Sequence, residues 1–169
     1  YAGLRDAWLY CGNEDAKTLF LQFCDWACAI TSKLSDDQME NMLGNEHGGM
    51  NETILDAYKL FGDKKYLNGA KKYSHQYMID GMTNYSGTFL DGKHANTQVP
   101  KYIGFERIWQ EDKSMTDYRK SVLNFWDDVA YKRTVCIGGN SISEHFQSHD
   151  KGSLYITNLE GPESCNSNN

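Results

Sequence analysis

Leu60-Phe61-Gly62-Asp63-Lys64-Lys65-Tyr66 decides how this 169-residue sequence is read. Tyr10-Cys11-Gly12-Asn13-Glu14-Asp15-Ala16 has the same layout, and Ile108-Trp109-Gln110-Glu111-Asp112-Lys113, running on to Asp117-Tyr118, is a looser third copy. Gly12 and Gly62 stand 50 residues apart, and the third segment follows at about the same interval. A period of that size marks stacked supersecondary units. Both glycines sit where a helix ends, as residues just past a C-terminus do.

Working outward, helical periodicity flanks every turn. Residues 4–10, 50–61 and 99–109 precede the turns. After them come apolar stripes carried by Leu19, Phe20, Phe23, Ala27 and Ile30, then by Leu67, Ala70, Tyr73 and Tyr77. The third, Tyr118, Val122, Phe125, Trp126 and Val129, is the clearest amphipathic face in the sequence. Pro100 is expected in a first helical turn, where its missing N–H costs nothing. The repeating unit is helix, short turn, helix, long connection, with connections at 33–49, 81–97 and from 132 onward. Short turns then fall at one end and long connections at the other, and long ordered loops on one rim are where function concentrates. The fold class is all-α: antiparallel helix pairs forming roughly half of an (α/α)₆ toroid, since six pairs at this period need ~300 residues. Residues 1–169 are read as one partial toroid domain.

Composition narrows the partners. A content of 40% apolar and 24% charged residues is that of a globular chain. The formal charge of -6 argues against nucleic acid or an acidic membrane and suits a neutral substrate. No apolar run approaches the ~18 residues of a membrane span. Eleven Tyr, seven Phe and four Trp serve mainly the core, and such rings also meet the C–H faces of sugars. The five cysteines form neither an even disulfide framework nor a CxxC motif, and Cys24 and Cys28 read as small core thiols. Free thiols fit a reducing compartment. The sequence opens inside a helical pattern (Tyr1, Leu4, Ala7, Trp8) with no targeting segment, so localisation stays open.

The connections hold the unusual residues. The first ends Glu46-His47-Gly48-Gly49-Met50-Asn51-Glu52, placing Glu46 and His47 at the mouth of the ring. The second ends His94-Ala95-Asn96-Thr97-Gln98, a set of donors and acceptors of the kind sugar hydroxyls need. Read singly, each is equally a polar helix start. Equivalent places in a repeat favour function. The third contains Gly138-Gly139-Asn140-Ser141-Ile142-Ser143-Glu144-His145-Phe146, followed by Glu160-Gly161-Pro162-Glu163-Ser164-Cys165-Asn166. Glu144 suits a general acid in a pocket that holds its proton. Glu163 and Cys165 pair a hard and a soft ligand, compatible with zinc, although Glu-x-Cys also arises by chance.

Taken together, EHGGMNE (46–52), HANTQVPK (94–101), GGNSISEHF (138–146) and EGPESCN (160–166) resemble the bacterial β-L-arabinofuranosidase family of glycoside hydrolases, in that family's order. The GDKKYL turn at 62–67 resembles its repeat turn. The resemblance implies an (α/α)₆ toroid and a retaining reaction, with a zinc-bound cysteine thiolate in place of the usual second carboxylate. It assigns Glu144 as the catalytic acid/base and His47 as a sugar contact. It places His94 and Gln98 at the substrate rim, and makes Glu163 and Cys165 metal ligands. The family's remaining zinc ligands, a later cysteine pair that includes the nucleophile, are expected beyond Asn169. The 169 residues alone are therefore expected to bind zinc weakly or not at all and to lack activity. Large apolar flanks are expected to favour self-association. The competing expectations are a related glycosidase of other sugar specificity and a non-catalytic carbohydrate-binding form.

Overall fold

The first two tight turns are each built from a glycine and a short acceptor side chain. Gly12 (φ 67°) and Gly62 (φ 74°) lie in the left-handed region, where a Cβ is disfavoured. One residue further on, Asn13 accepts from the N–H of Ala16 and Asp63 from that of Lys65, satisfying donors at the start of the next helix. The computed structural model describes residues 1–136 and 138–154, and its third turn, between Glu111 and Thr116, has no glycine: Asp112 accepts from the Ser114 N–H within the turn. In order the helices are α1 (Ala2–Cys11), α2 (Glu14–Thr31), α3 (Asp36–Leu43), α4 (Met50–Phe61), α5 (Lys64–Lys72), α6 (Gln76–Thr83), α7 (Ala95–Glu111) and α8 (Thr116–Asp128). A five-residue π turn, Val129–Arg133, continues α8. No strand occurs among the described residues, so the all-α expectation holds.

The pairs are α1 on α2, α4 on α5 and α7 on α8. Between pairs, α4 packs on α7, α2 on α5, and α6 on α8. α1 is tied to α4 by the stacked rings of Trp8 and Phe61, 5.5 Å apart, and by the Arg5–Asp56 ion pair. First helices thus form one layer and second helices another. The core between them includes Phe20 and Cys24 of α2, Ile54 and Leu55 of α4, and Phe105 and Ile108 of α7. α7 lies so close to α4 that a Cβ on Gly104 would stand 2.2 Å from the Asn51 carboxamide.

Four local expectations need correction. Residues 33–49 are not all connection, because Ser35 and Gln38 form a reciprocal capping box that starts α3. Leu67 to Tyr77 is not one helix. The chain leaves helical geometry at Tyr73 and restarts as α6 with His75 at its N-cap, leaving Tyr77 exposed. α2 turns Phe20, Cys24, Ala27 and Thr31 inward, whereas Leu19, Phe23 and Ile30 lie on a second, exposed stripe with Trp26. Finally, α7 begins at Ala95, so Pro100 sits in its second turn, where its missing N–H leaves the carbonyl four residues back without the usual helical donor.

Candidate active site

The third connection folds back onto the start of α7 and brings two expected site residues together. Ile142 and His145 exchange both backbone hydrogen bonds at 3.0 Å, closing a two-residue turn at Ser143-Glu144. Both turn residues have positive φ, 46° and 67°, the geometry that such hairpins normally give to Asn-Gly. Two consecutive non-glycine residues there store strain of about 1–3 kcal/mol each, which the surroundings must hold. They do so from both sides. Ile142 and Phe146 are buried while Ser143, Glu144 and His145 are exposed. The Glu144 carbonyl accepts from the Ala95 N–H at 2.8 Å, and the Phe146 N–H donates to the Lys93 carbonyl at 2.9 Å. The turn is pinned to the helix start and Glu144 faces outward.

His94 is the N-cap of α7. Its Nδ1 accepts from the Thr97 backbone N–H at 3.2 Å and faces the Thr97 hydroxyl at 2.7 Å. An accepting Nδ1 leaves the proton on Nε2, which donates to Glu144 Oε2 at 3.1 Å. Glu144 therefore has one oxygen oriented by His94 while its side chain remains 61% exposed. His145, whose ring meets that of His94 edge-on at 5.3 Å, lies against the same pair.

The remaining expected residues are placed as follows. Gln98 lies one turn beyond His94 on the same face of α7, buried, and its carboxamide oxygen has no partner among the described residues. His47 stands before α4 and lines a cleft of about 410 Å³ with Gly49, Glu52, Pro100 and Ile103. Its Nδ1 meets the Asn45 carbonyl at 3.3 Å, and its Nε2 is buried with no partner among the described residues. Burial, followed by the nearby Lys101 charge, holds the His47 pKa below the usual histidine value. No contact joins His47 to the His94–Glu144 pair among the described residues; α7 connects them, carrying His94 and Gln98 on one side and the cleft residues Pro100 and Ile103 on the other. Glu46 is exposed. Glu163 and Cys165 lie outside the described residues, and within those residues no group of three or more His, Cys, Asp or Glu side chains could hold a metal.

Sequence reasoning missed what holds the loop. Arg133, with no exposed side-chain surface, donates to Asp128 Oδ2 at 2.6 Å and to Asp91 Oδ1 at 2.8 Å, and also reaches the Gln147 carbonyl. Asp128, equally buried, is met on its other oxygen by Tyr85 and by His149 Nε2 at 2.6 Å. Removing one partner of such a buried pair costs about 3–5 kcal/mol, because the other charge stays uncompensated. The cluster ties the segment after α6 and the segment after Phe146 to the end of α8. The RTVCIGG stretch offered no spacing signal for it.

Over residues 1–169 the chain matches the family described as "Beta-L-arabinofuranosidase, GH127 catalytic domain". The chain belongs to that family. Comparison with curated proteins gives no match. Membership supports a glycoside hydrolase, with carbohydrate as the substrate class. No helix among the described residues is long and apolar enough to cross a membrane.

Proposed function

We propose that the domain acts as a retaining β-L-arabinofuranosidase in which Glu144 is the acid/base. The observation that carries this reading is the Glu144 turn. A strained exposed carboxyl is held by buried flanks, with one oxygen oriented by a histidine whose tautomer is fixed from behind. A glycosidic oxygen leaves readily only if protonated as its bond breaks. The carboxyl oxygen not engaged by His94 is the one left to deliver the proton. In a retaining sequence the same group then takes a proton from the attacking water.

The sugar is met by acceptors on neighbouring elements. The assignment of Gln98 and His47 as those contacts rests on their motifs; the Gln98 carboxamide oxygen and His47 Nε2 are buried without a partner among the described residues, so a local opening must uncover them before a hydroxyl reaches them. Closure of the two helix layers into an (α/α)₆ toroid belongs to the same reading, supported by the helix pairing and the family match. So does zinc binding through Glu163 and Cys165, which rests on the EGPESCN motif alone, with zinc activating a thiolate when bound.

Glu144→Gln in the full-length protein tests the acid. Turnover of an unactivated arabinofuranoside should fall about 10²–10⁴-fold, with a much smaller loss in the first step on an aryl glycoside, whose leaving group needs little protonation. Equal losses on the two substrates, with folding intact, would remove Glu144 from the acid role.

A further inference from the structure

His145 is exposed, yet both its backbone and its ring are held. Its N–H and carbonyl close the hairpin with Ile142, and the carbonyl also accepts from the Gln147 carboxamide at 3.1 Å. Its Nδ1 lies 2.5 Å from the Ser143 carbonyl. A carbonyl only accepts, so Nδ1 carries the proton, and the bond stands whether the imidazole is neutral or charged. The His145 and His94 rings meet at 88° with centroids 5.3 Å apart, an arrangement that aromatic pairs favour.

The Ser143 carbonyl is the group that the turn has to move in order to relax. Glu144 is a non-glycine residue at φ 67°. The same two-residue hairpin exists in a second form, type II′, with positive φ at the first turn residue alone. Passing to that form swings the peptide between Ser143 and Glu144 and carries the Ser143 carbonyl to the opposite side. Local preference does not settle the choice. The second form asks for glycine at the first position, and the present one disfavours glutamate at the second. A donor on the Ser143 carbonyl tips the balance toward the present form. Side-chain rotamers depend on backbone φ and ψ, so the carboxyl that meets His94 Nε2 at 3.1 Å depends on which form the backbone takes.

We propose that His145 is a positioning residue: its Nδ1–H locks the Ser143–Glu144 peptide in the orientation that aims the Glu144 carboxyl at His94 and at the glycosidic oxygen. The inference rests on the acid/base reading of Glu144 for its kinetic consequence, but not for the conformation of the turn. The contact between the two rings is secondary, because His94 is already fixed by the Thr97 N–H and hydroxyl.

Three variants take the interaction apart, and the exposed position tolerates each of them. His145→Asn keeps a nitrogen donor two bonds from Cβ, where Nδ1 stands. His145→Phe keeps a ring against His94 and loses the donor, and His145→Ala loses both. In the full-length enzyme, His145→Phe and His145→Ala should lower kcat on an unactivated arabinofuranoside about tenfold, the share of one hydrogen bond in the turn population. KM should stay within about twofold, and an aryl glycoside, whose leaving group needs little protonation, should lose little. His145→Asn should keep kcat within about twofold of the parent. A crystal structure of His145→Phe should show the Ser143–Glu144 peptide turned over in some or all of the molecules. A Phe variant as active as the parent, or an Asn variant as slow as the Ala variant, would overturn the proposal. So would the parent turn at full occupancy in the Phe crystal, or equal losses on two substrates that Glu144→Gln separates. A peptide that turns over in a protein that cleaves no arabinofuranoside would refute the acid/base reading and leave the lock standing.

Discussion

Gly104→Ala is a one-methyl change on the fully covered face of α7, and the structure sets its cost. The added Cβ would stand 2.2 Å from both Cγ and Oδ1 of Asn51, whereas ordinary contact begins near 3.4 Å, so the amide must withdraw by about 1.2 Å. Asn51 has no exposed surface. Its amide nitrogen donates to the Lys101 carbonyl at 3.0 Å and its oxygen accepts from the Glu52 N–H at 2.9 Å. Two responses are open. Either α4 and α7 separate, with an overpacking cost of about 1–3 kcal/mol, or the amide swings away and leaves buried polar groups unpaired, at about 1–3 kcal/mol. Both contribute in part, and alanine's better helix propensity returns about 1 kcal/mol. The net loss should be about 2–4 kcal/mol. At 2–4 °C per kcal/mol for a chain of this length, the melting temperature should drop by roughly 4–16 °C.

Thermal and urea unfolding of Gly104→Ala, Asn51→Ala and the double variant form a cycle that isolates the contact. The double variant should be more stable than the sum of the single losses by about 1–3 kcal/mol, because Asn51→Ala empties the space the new methyl needs. A Gly104→Ala protein that melts at or above the parent temperature would refute the reasoning. So would strict additivity, which would mean that the α4–α7 approach does not depend on a bare Cα at this position.

His75 provides a pH signature. Its folded-state pKa is brought down to about 4, chiefly by burial and then by Lys101, while the unfolded chain takes the proton near 6.5. The unfolded state therefore binds more protons in that window, and stability should fall as pH drops from about 6.5 to 4, by up to about 3 kcal/mol. His47 adds in the same direction. His75→Gln should flatten this slope in denaturant titrations, and an unchanged slope would show that His75 titrates normally. Self-association is the other expectation. Tyr10 (82% exposed), Phe23 and Trp26 on one edge, and Leu123, Trp126 (63%) and Tyr131 on the other, leave apolar faces open. Sedimentation velocity on the chain should show concentration-dependent association, and a single monomer peak at all concentrations would count against it.

What the sequence made legible is what local chemistry determines. Gly12-Asn13 and Gly62-Asp63 each end one helix and begin the next within two residues, so the pairing of α1 with α2 and of α4 with α5 could be read from the chain alone. Residues 33–49 and 73–83 defeated that reading. α3 and α6 are eight-residue helices, too short for apolar periodicity to stand out, and the device that starts α3 is a side-chain exchange between Ser35 and Gln38. The apolar face of α2 was misjudged for another reason: the helix carries hydrophobic residues on two stripes, and only packing against α1, α5 and α4 decides which one is buried. Trp8 of α1 is half-buried, stacked on Phe61 of α4.

The site divides along the same line. Glu144 and His94 were legible as members of motifs, but their meeting spans 50 residues and depends on Ser143 and Glu144 both adopting positive φ, which no local preference favours. That conformation persists because Ile142 and Phe146 are buried on either side and Arg133 grips the chain behind them. Lys101 was quoted within HANTQVPK without a role, since a lysine in a helix ordinarily points to water. It is buried, with its ammonium donating to the Leu43 carbonyl of α3 and to Nδ1 of His75 at the N-cap of α6. The polar stripe His94, Gln98, Lys101 is therefore the feature of α7 that sequence spacing could have disclosed. Three residues capable of hydrogen bonding on one face of a helix whose neighbours are Val99, Tyr102 and Phe105 are costly to bury, and a fold tolerates that cost where the groups are used.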